Sequence, residues 1–247
     1  MLSGFMDGVR SYGQAFRLIA RLRLWRYLLA PALISLLLGI ATLTAAWGVS
    51  DDIGRRLVAW YPWEGGRGAV EQLATVLGGI LVVALGLLVF KHLVLALAAP
   101  FMSLLSERVE RHLMGDREPV SNTLAGMIAD MARGFTIAVR NLFRELFLTL
   151  LLFLLGLIPL LTPLTTAGIF IVQAYYAGFG NIDYTLERHA KVKASLRFVR
   201  RHRGLSIGNG AVFLLLLFSV VGFLFALPLS TVAATVETLK RLQREDP

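Results

Sequence analysis

Four long stretches without any Asp, Glu, Lys or Arg constrain this chain more than any other feature. They run over Tyr27–Ser50 (24 residues), Gln72–Phe90 (19), Leu146–Ile182 (37) and Gly204–Val236 (33). A 24-residue helix measures about 36 Å, enough to cross a hydrocarbon core of about 30 Å with some tilt. The first two stretches therefore read as ordinary membrane spans. The first follows arginines at the N-terminus, as a secretory signal would, yet it far exceeds the roughly 7–15 apolar residues of a cleavable signal. It is read as a retained span, and the second as a long span continuing over 72–114.

The later two stretches have an awkward length. A single 37-residue helix would be about 55 Å long, whereas two full crossings need more than about 40 residues with their turn. Pro159 and Pro163 interrupt the third stretch, and Gly222 and Pro228 the fourth. Proline lacks the backbone donor that a helix interior needs and disfavours helix in the residue before it. Each stretch thus reads as a hairpin of two short arms that enters the bilayer and turns back, with Pro159, Pro163 and Pro228 at the turns.

Charge placement agrees. Lys and Arg number 25 and Asp and Glu 16, a net charge of +9. Basic residues number five before Tyr27, six in 107–145, seven in 183–203 and three in the tail, against three in 51–71. If both late stretches are hairpins, 21 basic residues lie on the cytoplasmic side with both termini, as the positive-inside tendency favours. Lys91 then sits near the inner interface, either snorkelling or lining a pore. A mean hydropathy of +0.68 with 56% hydrophobic residues turns the basic excess toward lipid headgroups and away from nucleic acid.

The polar segments carry helical periodicity. In 121–146 apolar residues recur at Leu124, Met127, Ile128, Met131, Phe135, Val139, Leu142, Phe143 and Leu146, with Arg133, Arg140 and Arg144 between them. Phe5, Met6, Val9, Phe16, Ile19 and Leu22 form a similar face in the first 26 residues. Both predict amphipathic helices at the membrane interface, and 184–203 supplies a third, strongly basic piece. The expected architecture is an all-α integral membrane protein with a single domain over 1–247. It comprises an N-terminal helix (1–26), spans at 27–50 and 72–114, a helix plus hairpin over 121–182, a basic helix plus hairpin over 184–236, and a tail (237–247). The recurrence of a basic helix before a broken apolar segment hints at an internal repeat with a site near the breaks.

Catalytic constellations are absent from the sequence. There is no cysteine, and His92, His112, His189 and His202 are too scattered for a helical metal pair. Gly178-Phe-Gly180 is only a fragment of a dinucleotide loop, and no phosphate-loop lysine or nucleophile elbow occurs. Glu107 and Glu110, interleaved with Arg108 and Arg111, read as a solvated ion-pair face. Neither enzyme chemistry, metal nor cofactor is expected. The physical features left are helix ends within the membrane, which offer backbone N–H groups to anions, and a basic entrance at Arg17, Arg21, Arg23 and Arg26. Anchoring to anionic lipid explains the same charges equally well.

One segment carries a family likeness. Ala98-Ala-Pro-Phe-Met-Ser-Leu-Leu-Ser-Glu107, with Pro100 and Phe101 at its heart, resembles the corresponding stretch of the CysZ sulfate permeases and the wider etoposide-induced-protein family. Leu29-Ala-Pro31 before an apolar span, Ile158-Pro159, Asp183-Tyr184, and His189 near Lys191 follow in matching order. The resemblance implies a homo-oligomeric bacterial inner-membrane protein with two long spans and partly penetrating hairpins, supplying sulfate to cysteine biosynthesis. It also implies sulfate binding at an Arg-Arg pair opening the first span, which reads Trp25-Arg26 here, with Arg23 a turn earlier. A membrane-shaping scaffold without a pore is the rival expectation.

Overall fold

The computed structural model describes residues 1–25, 29, 32–34, 36–44, 90, 93, 97–115, 124–156, 158, 160–219 and 222–245. Its ordered elements are helices, and no strand occurs among the described residues. The chain divides into two compact units, 33–95 and the remainder, Met1–Ala32 with Ala96–Pro247. Of the smaller unit, residues 33–34 and 36–44 are helical, and Gly39 faces the ring of Phe90. About half of the two expected long spans, including Lys91, lies outside the described residues, as does Arg26 just before the first.

The larger unit is built from α1 (Leu2–Arg21), α2 (Ala99–Met114), α3 (Leu124–Gly156), α4 (Thr162–Leu186), α5 (Val192–Arg201), α6 (Arg203–Leu217) and α7 (Gly222–Glu245). At its centre, α6 is held between α1 and α4 by contacts that only very small residues allow. A Cβ on Gly210 would stand 1.8 Å from the carbonyl oxygen of Ala174, and one on Gly178 1.9 Å from that of Ser206. On the other side, a Cβ on Gly208 would stand 2.2 Å from the Phe5 carbonyl, and one on Gly204 2.3 Å from the Met1 carbonyl. Gly4 and Gly8 of α1 face this second stripe, so glycines four residues apart meet glycines four residues apart. Gly178, part of the glycine pair noted in the sequence, is thus a helix contact.

This packing changes the reading of α1. Its buried face is Gly8, Ser11, Ala15 and Ile19, whereas Met6 and Phe16 are exposed. Of the apolar face expected at the membrane interface, Ile19 is drawn into the bundle while Met6 and Phe16 stay exposed; the small residues make the helix contact, because close backbone approach brings more atoms into dispersion contact.

α3 likewise keeps its bulky residues outward. It is one continuous helix of 33 residues, joining the expected interfacial helix to the first hairpin arm. Ile137, Asn141 and Glu145 face inward, while Phe135, Phe143 and Phe147 are 70%, 67% and 67% exposed. Further along, Leu150, Leu151, Phe153, Leu154 and Leu155 are also exposed. A helix that turns its polar stripe inward and its phenylalanines outward has the sidedness of a protein surrounded by lipid.

A chain reversal between α3 and α4 falls at 157–161, where the proline pattern predicts it. Thr162 Oγ1 donates to the Gly156 carbonyl at 2.8 Å, and Gly168 packs against Leu152, so the two arms run back along each other. Pro163 lies in the first turn of α4, where its missing N–H costs nothing. Pro159 is outside the described residues. The second break comes earlier than expected. α6 ends at Leu217, α7 starts at Gly222, and Pro228 is a buried residue inside α7 instead of a turn residue. Gly222 sets the position, since a Cβ there would lie 2.0 Å from Ser219 Oγ and 2.7 Å from the Leu216 carbonyl.

Among the described residues one helix, α7, is long and apolar enough to cross a membrane. Most of it is enclosed by the other helices of its unit, its buried residues running from Ala226 to Leu239.

Candidate anion-binding cleft

The C-terminal halves of α1 and α7 and the end of α2 leave a cleft of about 420 Å³ between them. Gln14, Arg17 and Arg21 line it from α1, and Lys240 and Gln243 from α7, while Leu18, Leu113, Met114, Val236 and Leu239 form its apolar walls. The helical repeat puts Gln14, Arg17 and Arg21 on one face, three or four residues apart. The glycine contacts described above hold that face against the bundle. Cross-ties between the helices fix the register: Lys240 Nζ donates to Gln14 Oε1 at 3.0 Å, and Arg241, held at 2.7 Å by Glu237 of its own helix, pairs with Asp7 at 2.8 Å.

Among the described residues no carboxylate lines the cleft. Lys240 shares its charge with Glu237 at 2.7 Å, whereas Arg17 and Arg21 make no ion pair among the described residues. Arg17 Nε donates to the Gly13 carbonyl at 3.2 Å, which orients its guanidinium and leaves the terminal nitrogens for a ligand. Two guanidiniums, a lysine and two carboxamides around an open space of this size suit a small polyatomic anion, because guanidinium donors match the edge of an oxyanion.

The residues named from the sequence fall on several sites. Arg23 follows α1 in a left-handed conformation, φ 52°, where the chain folds over so that Leu24 N–H donates to the Ile19 carbonyl at 3.0 Å. Trp25 packs edge-on against Phe16, ring centroids 6.4 Å apart. Arg23 and Trp25 adjoin the end of α1 without lining the cleft, which is formed by the preceding turns of the helix. Pro100 occupies the first turn of α2, Phe101 is partly exposed, and Glu107 pairs with Arg111 on the surface of that helix.

Asp183, Tyr184 and Glu110 belong to a different feature, a buried polar network. Arg133 of α3 grips both oxygens of Asp183 at 3.0 and 3.2 Å and donates to Ser195 at 2.7 Å. Arg188 donates to Glu110 at 3.0 Å, to Ser106 at 2.7 Å and to the Tyr184 carbonyl at 2.8 Å. Ser106, Thr185 and Thr235 close a ring of hydroxyls at 3.0–3.1 Å. His189 contacts the other Glu110 oxygen at 2.7 Å. Glu187 is hydrogen-bonded by Ser103, and burial pushes its carboxyl up to about 7 despite Ser103 and Arg188.

Sequence reasoning placed Arg17 and Arg21 in the basic entrance and missed Gln14, Lys240 and Gln243. Their spacing shows only when α7 is known to lie beside α1. Glu110 was grouped with Glu107 on a solvated face, and that holds for Glu107 alone, since Arg188 and His189 draw Glu110 inward. No metal-binding group of His, Asp or Glu occurs among the described residues.

A comparison with curated proteins finds no match. The comparison with protein families does: the model of the family described as sulfate transporter CysZ/etoposide-induced protein 2.4 matches residues 11–228, a span that holds α2 to α6, most of α1 and both chain reversals. The outward phenylalanines of α3 and the cationic cleft accord with a family of membrane transporters, and this chain belongs to the sulfate transporter CysZ/etoposide-induced protein 2.4 family.

Proposed function

We propose that the protein is a membrane permease or channel for a small oxyanion, with sulfate the first candidate, and that the Arg17–Arg21–Lys240 cleft receives the ion. The observation that carries this reading is the cleft itself: cationic and carboxamide donors, with no carboxylate among the described residues that line it. A divalent tetrahedral anion gives up hydration reluctantly, so it needs several charge-assisted donors at once. Arg26, at the mouth of the first span, would draw the ion toward the cleft, with Arg23 and Trp25 shaping the approach.

In this reading 27–50 and 72–114 are the two long spans of a multi-pass protein of a bacterial inner membrane. α3–α4 and α6–α7 dip into the bilayer and return. The termini are cytoplasmic, copies of the chain assemble around the route, and the sulfate serves cysteine biosynthesis. The family name and the length of the charge-free stretches support this arrangement.

The test is flux. Reconstituted protein should pass labelled sulfate into liposomes, and Arg17→Gln with Arg21→Gln should lower the rate about tenfold, the loss expected when about 1.4 kcal/mol of binding is removed. Flux of sulfate, phosphate and chloride no greater than that of empty liposomes would overturn the proposal and leave the membrane-shaping scaffold as the better account.

A further inference from the structure

A second cavity lies away from the cleft, on the flank where α3 meets α4, with one arginine in its lining and two more nearby. It measures about 370 Å³ and is lined by Phe143, Arg144, Phe147, Leu148 and Tyr176. Arg140, one turn before Arg144, donates to Asn141 Oδ1 at 3.1 Å, and Arg144 and Arg200 are close enough for their charges to act on it. None of these three arginines forms an ion pair among the described residues. Glu145, on the inward stripe of α3, is the one acidic group among the charges acting on Tyr176, against the three arginines.

Like charges gathered on three turns of two helices repel one another, and a protein gains by holding a counter-ion there. The counter-ion must suit what surrounds the charges. Phe143 and Phe147 are two-thirds exposed, and the apolar surface continues without a charge along Leu150, Leu151, Phe153 and Leu154. The site is therefore polar at one end and joined to a long hydrocarbon-like strip at the other. A free inorganic ion would use only the polar end, and a neutral lipid only the strip.

We propose that Arg140, Arg144, Arg200 and Tyr176 bind the phosphate of an anionic glycerophospholipid whose acyl chain lies against Phe143, Phe147 and Leu148. The guanidiniums take the phosphate oxygens in charge-assisted hydrogen bonds, and the Tyr176 hydroxyl adds a neutral donor. The bound lipid clamps α3 to α4 and α5. It is independent of transport, because the site shares no residue with the anion cleft.

The experiment uses the full chain purified in a neutral detergent, with phosphatidylglycerol, phosphatidylcholine and inorganic phosphate as probes. Retained lipid is counted by native mass spectrometry, and the thermal midpoint is measured in parallel. Phosphatidylglycerol should be retained at least ten times better than phosphatidylcholine and should raise the midpoint, while millimolar inorganic phosphate should not. Arg140→Gln with Arg144→Gln should abolish the preference. Should that variant fold poorly, Arg200→Gln, on an exposed position of another helix, should weaken it severalfold. Arg21→Gln, in the other cleft, should leave it unchanged. Equal retention of the two lipids, an equal effect of inorganic phosphate, or full preference in the arginine variants would each overturn the proposal.

Discussion

Arg188 and Arg21 are both arginines on helices or turns that contribute to one bundle, yet their surroundings differ in kind. Arg188 is only 15% exposed and meets Glu110, Glu187, Ser106 and two backbone carbonyls. Arg21 faces an open cleft, with a lysine, a second arginine and two glutamines as its polar neighbours. The first arrangement has its charge neutralised from within, and the second needs something from outside. A buried pair that is already complete has little affinity left for a ligand, whereas solvated guanidiniums without acidic partners can exchange water for an anion. The difference suits one cluster to structure and the other to the binding proposed for it.

Removing Arg188 should have the largest effect. Arg188→Leu leaves Glu110 and Glu187 buried without their cation, which typically costs about 3–5 kcal/mol. Thermal unfolding in detergent, followed by helical circular dichroism, should show a loss of that size or a chain that no longer folds. An unfolding midpoint within error of the parent would erase the contrast with Arg21.

Glu187 sharpens it further. Its carboxyl is raised from 4.5 to about 7, so between those values the folded protein holds a proton that the unfolded chain releases. Stability should therefore fall as pH rises from 4.5 to 7, with the full penalty present above 7. Glu187→Gln removes that penalty while keeping an acceptor for Ser103. It should stabilise the protein by roughly 2 kcal/mol at pH 8 and by little at pH 4.5, as paired melts at the two pH values would show. A gain that is the same at both would mean that the residue does not titrate in this window.

How legible these features are in the sequence depends on which interaction makes them. The reversal at 157–161 is written in Pro159 and Pro163, because proline acts through its own backbone. The phenylalanine stripe of α3 is equally visible as a periodicity, but hydropathy does not say which way it points: in water it would face the core, and here Asn141 and Glu145 do. The α1–α6–α4 core was hidden because its contacts are made by glycines, which carry no hydrophobic signal. The available clue is spacing, Gly4 with Gly8 and Gly204 with Gly208, each pair one helical turn apart. Adding one methyl to that seam tests its reach: Gly208→Ala would drive a Cβ to within 2.2 Å of the Phe5 carbonyl and force α1 to move. The expected cost is about 1–2 kcal/mol, together with weaker sulfate binding because Arg17 and Arg21 move with the helix. The Glu187 titration, on another part of the bundle, should stay where it is.

The smallest effect on stability is expected at Arg21, and its smallness is informative. The residue lies in the last turn of α1, where a cation favours the carbonyl end of the helix by about 0.3–1 kcal/mol. Arg21→Gln forfeits that contribution and relieves repulsion from Arg17 one turn earlier, two changes of opposite sign and similar size. The melting midpoint should shift by no more than about 2 °C in the absence of anions. In the parent protein sulfate should raise the midpoint as its concentration passes the dissociation constant, since a ligand that binds only the folded state stabilises it by mass action. In Arg21→Gln the same rise should require about ten times more sulfate. A variant that melts like the parent both with and without sulfate would place the anion elsewhere, while one that unfolds outright would make Arg21 a structural residue like Arg188.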